Sequence, residues 1–454
     1  MNKNSDIRPV DINFEYKSYR LRTPLKFGSV VVKESTSLLV TAVVKNREGK
    51  KSEGLGSMPL ACEWAFPSLE ETHERKLEAM KLVAERYRKL LAKEAEGKFL
   101  HPIDWFIKCE EEIPRITRSV SSELKLKEEL PILASLVAVS PIDASLHDGF
   151  GKVNSICSYD GYGPKYVDHD LSFYLGEKFR NKYITDYIKP EYSSEIPIFH
   201  LVGGLDELRR DEAGSEEPDG LPVSLEEWIE KDGIFCFKIK LKGNDIDWDV
   251  GRTREVTETI VESLKKRGEK AFYMSVDSNE MHPSPEAVLE YLRRVKMEVP
   301  EAFKRILYVE QPVSRDLTRN MFNMKEVAKV KPVLADEGVT DLRSFDLAID
   351  LNWSGVALKT CKCHSSTLLL AAKAGGLGIP YSVQDLTCPG LALVHSAGFA
   401  ARTNPIMGVE YNARQYLPFA FKDTQERFPE IFNVKNGKIR TGCLNGKIGL
   451  GLSW

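Results

Sequence analysis

The second half of the chain carries a ladder of short apolar segments, each closed by a charged residue. Phe-Lys-Ile-Lys ends in Lys238 and Lys240, Met-Ser-Val-Asp in Asp277 and Tyr-Val-Glu in Glu310. Leu-Ala-Asp-Glu ends in Asp336 and Glu337, and Val-Ala-Leu-Lys in Lys359. Three acids suit a hard cation, which takes oxygen ligands, and amines beside them suit acid/base chemistry. The rungs lie 23 to 37 residues apart. That is about one strand-loop-helix-loop unit, so the charges fall at equivalent places in successive βα repeats. In a parallel (β/α) barrel the carboxyl ends of all strands open on one face. Three carboxylates and three lysines would therefore meet there.

A lysine base must shed a proton that it ordinarily holds up to a pH of about 10.4. Lys238 and Lys240 point to the same side of a strand. Like-charge repulsion, with a divalent cation nearby, would push the proton off one of them. Lys240 is the expected base and Lys238 its tuning neighbour. Lys359 enters four strands later, from the opposite side of the mouth. Two lysines facing opposite sides of one carbon meet the need of 1,1-proton transfer; alternatively, one is the base and the other a fixed cation. Taken singly, Lys-x-Lys, Glu-Gln-Pro and Asp-Glu-Gly are ordinary strand ends. Their joint order and spacing makes the set informative.

The elements that must position these groups are legible as patterns. Residues 12 to 56 are rich in Val, Thr and Leu and predict strands, with a turn at Arg47-Glu-Gly49. Residues 68 to 96 predict a helix with Leu77, Met80, Ala84, Tyr87 and Leu91 on one face, and a second helical region covers 113 to 150. From about residue 195 strands alternate with helices, the strands at 197–203, 235–241, 271–277, 306–311, 332–336, 355–360, 379–385 and 406–411. Helices are expected at Thr253–Arg267 and Pro285–Lys296. Eight such strands fit a closed barrel better than an open sheet. The acidic segment 204–224, with Gly214, Pro218, Gly220 and Pro222, reads as a long loop after the first barrel strand.

Composition excludes several other classes. The 454 residues include 64 basic and 67 acidic ones, for a net charge of −3, so nothing points to nucleic acid or a membrane surface. The first residues hold no apolar run of the secretory kind, and no stretch reaches the roughly 20 apolar residues of a membrane span. The eight cysteines form no CxxC pair; reduced thiols and a cytoplasmic location are expected. Cys361-Lys-Cys363-His364 lacks a second ligand pair for zinc. No GxGxxG follows a strand and no GxxxxGK[ST] occurs.

Lys238-Ile-Lys240, Asp277-Ser-Asn279, Glu310-Gln-Pro312, Ala335-Asp336-Glu337 and Lys359-Thr-Cys-Lys362 together resemble the enolase superfamily. The lysine ending the sixth strand resembles the muconate-lactonising-enzyme-like members of the mandelate racemase/muconate lactonising enzyme family. Leu21 to Gly28, Leu38-Leu-Val40 and Gly54-Leu-Gly56 resemble that family's cap, and Ile142 to Asp148 the helix leading into its barrel. The likeness implies an α/β fold, a modified (β/α)7β TIM barrel under an α+β N-terminal capping domain. Its expected bounds are 1–150 for the cap and 151–414 for the barrel, with 415–454 packing back on the cap.

It further implies one Mg2+ per chain, held by Asp277, Glu310 and Asp336, a small-molecule carboxylate substrate and a homo-oligomer. Such sites pair a lysine or histidine base with Mg2+ that stabilises an enediolate. Racemisation or epimerisation is the favoured outcome. The alternatives are β-elimination, as in acid-sugar dehydratases, and cycloisomerase or o-succinylbenzoate synthase chemistry; a turnover-free carboxylate-binding protein is more remote. Asn279 and Glu337 are expected to support the ligands, and Gln384, Asp385 and Glu410 to read the substrate. Arg22, Lys26 and Ser57 are the candidates from the cap. His364 and His395 read as structural. Two departures lie at the mouth: Lys242 precedes Gly243, and Lys362-Cys-His-Ser stands where the family often has Lys-x-Gly-Gly.

Overall fold

Alternating apolar residues draw the N-terminal segment into a three-stranded antiparallel sheet in the computed structural model, which describes residues 3–27, 30–211 and 219–453. Strands β1 (Ile7–Phe27), β2 (Val30–Asn46) and β3 (Lys51–Pro59) pair in sequence order. Gly49, at φ 90°, makes the turn between β2 and β3, where a side chain would be strained. The inward face of β2, with Leu38, Val40, Ala42 and Val44, is buried.

Five helices follow: α1 (Cys62–Ala65), α2 (His73–Glu94), α3 (Pro102–Glu110), α4 (Ile113–Glu123) and α5 (Ile132–Val153). The helical region expected at 113–150 is thus two helices, because Lys125 turns to φ 50° and Pro131 precedes the second. Helix α3 was not expected from the pattern; His101 caps it by accepting from Ile103 N at 3.3 Å. Helix α5 is buried along nearly its whole length. Pro141 inside it cannot donate to the carbonyl four residues back, and the Ser140 hydroxyl takes that carbonyl, Val137 O, at 2.9 Å.

Eight parallel strands then close a barrel: β4 (Ile196–Val202), β5 (Cys236–Lys240), β6 (Tyr273–Asp277), β7 (Ile306–Glu310), β8 (Val333–Ala335), β9 (Gly355–Lys359), β10 (Tyr381–Gln384) and β11 (Val409–Glu410). Neighbours pair in order, and β11 returns to β4 through Val409 opposite Ile198. Helices fill the connections between successive strands, the (β/α)7β arrangement. The helix expected from Thr253 starts at Ile246, where the Asp245 side chain caps Trp248 N at 3.0 Å. The Asp249 carboxylate takes Lys242 N and Gly243 N at 2.7 and 2.9 Å, fixing the turn that leaves β5. Residues 212–218 of the acidic 204–224 loop, and Gly28 of the cap motif, lie outside the described residues. No helix among the described residues is long and apolar enough to cross a membrane.

After the barrel, β12 (Lys438–Ile439) pairs antiparallel with the start of β4. Asp148 on α5 gathers three elements: its carboxylate accepts Leu55 N of β3 and Leu450 N, each at 2.8 Å, and pairs with Lys152 at 2.6 Å. Strand β3 presses on α5 so closely that a Cβ on Gly54 would lie 2.0 Å from Ser145 O, and one on Gly56 1.9 Å from Pro141 O. Gly56→Ala should therefore cost about 3 kcal/mol or more, read from urea unfolding. A loss below about 1 kcal/mol would contradict this packing.

Candidate active site

The barrel strands end in charged residues at one level. Lys240 is in register with Asp277, and Asp277 with Glu310; Asp336 and Glu337 follow directly on β8, and Lys359 is in register with Gln384. All of these side chains are buried. Lys238 Nζ sits among three carboxylates, 2.6 Å from Glu310 Oε1, 3.0 Å from Asp277 Oδ2 and 3.1 Å from Glu410 Oε2. Lys240 Nζ donates to Asp277 Oδ2 at 2.5 Å and Asn279 Oδ1 at 2.8 Å. Lys359 Nζ donates to Asp336 Oδ2 at 2.6 Å. Lys362 Nζ reaches the same residue, its carbonyl at 2.6 Å and Oδ1 at 3.1 Å.

The sequence thus brings its three acids and three lysines together, with one difference from the expected bare trio of ligands. Among the described residues no three carboxylate, imidazole or thiolate groups are arranged as a ready metal cluster. Amines stand between the acids, because buried carboxylates repel unless positive charge separates them. The donor set still fits a hard cation: three carboxylates from adjacent strand ends, all oxygen.

The titrations follow from this crowding. Burial raises the Asp277 pKa, but Lys240 and Lys238 outweigh it and hold the carboxyl below its ordinary value. Burial, reinforced by Asp277 and Asp336 and opposed by Lys238, pushes Glu310 up to about 8. Burial and then Asp336 push Glu337 to about 7, and burial and then Glu410 push Asp385 to about 7. Lys238, the expected tuning neighbour, is itself held charged. Burial disfavours its charge, yet Glu310, Glu410 and Asp277 together hold its pKa above the usual lysine range.

A cavity lies between the barrel mouth and the cap. Lys238, Lys240, Lys359, Asp385, Glu410 and Asn412 form its polar side, and Leu21, Leu25, Val32, Ala61 and Trp64 much of its apolar side. Asp385 accepts Thr387 N at 3.1 Å and Asn412 N at 3.3 Å. Gln384 stands behind this wall, donating to Glu310. Gln311 Oε1 takes Asp336 N at 2.7 Å and so orients the acid from below.

The cap candidates fall elsewhere. Arg22 is turned away onto the loop after β4, donating to Asp219 Oδ2 at 2.5 Å and to Leu221 O and Pro222 O at 3.1 Å each. Lys26 is half-buried and Ser57 buried, and neither lines the cavity. Trp64, Lys362 and Asn412 had no role in the sequence reading. Trp64 has no periodic partner, and only the folded loop turns Lys362 back onto Asp336. His364 and His395 are buried and bonded to each other at 2.9 Å.

The family model described as Enolase C-terminal domain-like matches residues 221–454, more than half of the chain. The chain belongs to the enolase superfamily. Within it the match is to the mandelate racemase/muconate lactonising enzyme group. Solved structures share the whole fold. A dipeptide epimerase from Enterococcus faecalis V583, complexed with Mg and the dipeptide L-Leu-L-Tyr, is 17% identical with a TM-score of 0.61, over 99% of this chain and 100% of that one. An N-succinyl Arg/Lys racemase from Bacillus cereus ATCC 14579 is 19% identical with a TM-score of 0.58, over 99% and 95%. A 2-chloromuconate cycloisomerase from Rhodococcus opacus 1CP is 17% identical with a TM-score of 0.61, over 98% and 96%. At such identities the likeness is one of fold. No curated protein sequence matches the chain.

The buried carboxyls of this superfamily member make its stability pH-dependent in a stated direction. Glu310, Glu337 and Asp385 keep protons in the folded state that the unfolded chain releases near pH 4 to 5. The native state thus binds more protons, and stability falls as pH rises towards 8. Buried His200 and His395, lowered by burial to about 3 and about 4, act oppositely, but only below their unfolded value of about 6.5. Between pH 6.5 and 8.5 the carboxyls set this slope, and His73, raised by its hydrogen bond to Glu63, adds to it in the same direction. Metal-free protein should show a falling melting temperature across that window by calorimetry, and a flat or rising one would contradict the assignment.

Proposed function

We propose that the protein removes the proton α to the carboxylate of a small-molecule substrate, with Mg2+ held by Asp277, Glu310 and Asp336, and that the net reaction is racemisation or epimerisation. One observation carries this reading. The amines of Lys240 and Lys359 reach one cavity from β5 and β9, on opposite flanks of the three strands that bear the acids. Bound Mg2+ would supply positive charge where the enediolate develops negative charge.

The residues of the chain do the rest. Asp277 and Asn279 aim Lys240 at one side of the α-carbon, and Asp336 holds Lys359 on the other. Lys238, at the cavity wall and compensating Glu310 and Glu410, keeps the acids together. The cap closes the cavity with apolar side chains such as Leu21, Leu25 and Trp64 and with the polar Glu34, Glu63 and His73, and excluding water strengthens the electrostatic contacts inside.

A second reading has its own support. Lys359 is paired to Asp336 and covered by the Trp64 ring, its Nζ 4.6 Å from the centroid. A lysine held so firmly suits a fixed cation, and the same enediolate would then lose a β-substituent or undergo cycloisomerisation.

Incubation in heavy water with mandelate, N-succinyl-arginine, L-Leu-L-Tyr and acid sugars separates these outcomes by mass spectrometry. Racemisation gives an α-deuterated product of unchanged composition, and elimination gives loss of water. A binding-only protein gives neither. Lys240→Ala should lower exchange by at least about a thousandfold while Mg2+ binding, read by calorimetry, persists; full exchange in that variant would refute the base. Lys359→Ala should lower exchange from one enantiomer far more than from the other if the reaction is a racemisation, and equal losses would favour elimination.

Mg2+ affinity should rise between pH 6.5 and 8.5, because the cation must displace the proton that Glu310 holds up to about 8. Calorimetry in buffers of different ionisation enthalpy should show proton release at pH 7. Pure heat without proton release would remove Glu310 from the ligand set.

A further inference from the structure

Trp64 lies on α1, a single turn entered through Ala61 at φ 43°. It is a cap residue, yet its indole N–H and its carbonyl bond to the barrel. Its Nε1 donates to Glu337 Oε1 at 2.8 Å, beyond β8. Its carbonyl accepts from Arg315 NH1 at 3.0 Å, beyond β7, and Arg315 is paired at 2.5 Å with Glu280, beyond β6. Its ring covers Lys359 Nζ at the end of β9.

Glu337 Oε1 also accepts from Asn279 Nδ2 at 3.1 Å, and Asn279 Oδ1 takes the Lys240 amine at 2.8 Å. One indole thus touches both lysine arms. Its face bears on Lys359 directly, and its N–H bears on Lys240 through Glu337 and Asn279. Lysine is a flexible four-carbon stem. Lys359 has one carboxylate within bonding distance, Asp336 Oδ2, and the indole supplies the opposing wall.

We infer that Trp64 is a positioning residue for both lysines, so that seating of the cap aims the two amines at the substrate. The inference rests on the α-proton chemistry proposed above. Its distinctive consequence is that the two edges of the indole separate by substitution. Trp64→Phe keeps an aromatic face over Lys359 and removes the N–H that steadies Glu337. Trp64→Leu removes both.

Two measurements test this, and the first needs no substrate. In protein labelled with [13Cε]lysine, the Lys359 ε-methylene resonance, assigned by its loss in Lys359→Arg, should lie upfield of the other lysines from the ring current. It should remain displaced in Trp64→Phe and return to the common position in Trp64→Leu. An undisplaced resonance in the native protein, or one unmoved in Trp64→Leu, overturns the contact.

The second measurement follows α-deuteration of (R)- and (S)-mandelate, with each direction assigned to its lysine by the Lys240→Ala and Lys359→Ala variants. Trp64→Phe should slow the Lys240 direction about tenfold in kcat and leave the Lys359 direction within about twofold, with KM little changed; Trp64→Leu should slow both. A rise in KM alone, or equal losses in Trp64→Phe, marks Trp64 as a plain wall and overturns the positioning role. If the native protein deuterates neither enantiomer nor any other carboxylate tried, the proposed function fails, while the lysine resonance still decides whether Trp64 holds Lys359.

Discussion

Charge compensation inside a dry barrel mouth is the constraint on which the rest of the structure depends. Asp277, Glu310, Asp336, Glu337, Asp385 and Glu410 are all buried at the ends of neighbouring strands. Removing one charge of a buried set leaves its partner unpaired, at a cost of several kcal/mol. Lys238, Lys240, Lys359 and Lys362 are therefore structural, whatever else they do. Lys238, touching Glu310, Asp277 and Glu410, serves the first purpose most plainly.

That constraint explains the surrounding supports. Gln311 places its amide oxygen on the Asp336 N–H, and Asn279 bridges Asp277, Glu337 and Lys240. These neutral groups orient charges without adding any. Some polar atoms beside them keep spare capacity: Glu337 Oε2, Gln384 Oε1 and Asn412 Oδ1 are buried without a hydrogen-bond partner. Each of these oxygens can accept a further hydrogen bond, and of the three residues only Asn412 lines the cavity.

The barrel was legible in the sequence because its signal is periodic. Each strand predicted between 197 and 411 exists, with ends shifted by a residue or two in most cases, since alternation and spacing survive in the chain itself. The lysines and acids of the site were legible for the same reason, lying at or just beyond the ends of those strands. What remained hidden depends on loops. Helix α3 is too short to declare a period, and Lys125 breaks the long helical stretch through a backbone angle that no residue type announces. The indole of Trp64 meets Lys359 across nearly 300 residues of chain, and no local pattern records that encounter. Arg22 shows the converse: a basic residue in a cap loop looks available in sequence, yet the fold commits its guanidinium to Asp219, Leu221 and Pro222.

Asp148 bears on how the sheet, its helix and the Leu450 segment move together. Its carboxylate fastens α5 to β3 and also to the far end of the polypeptide at Leu450, across an interface with no slack at Gly54 and Gly56. Moving β3 off α5 would tear this rivet. Any rearrangement that keeps α5, β3 and the Leu450 segment together leaves this rivet intact.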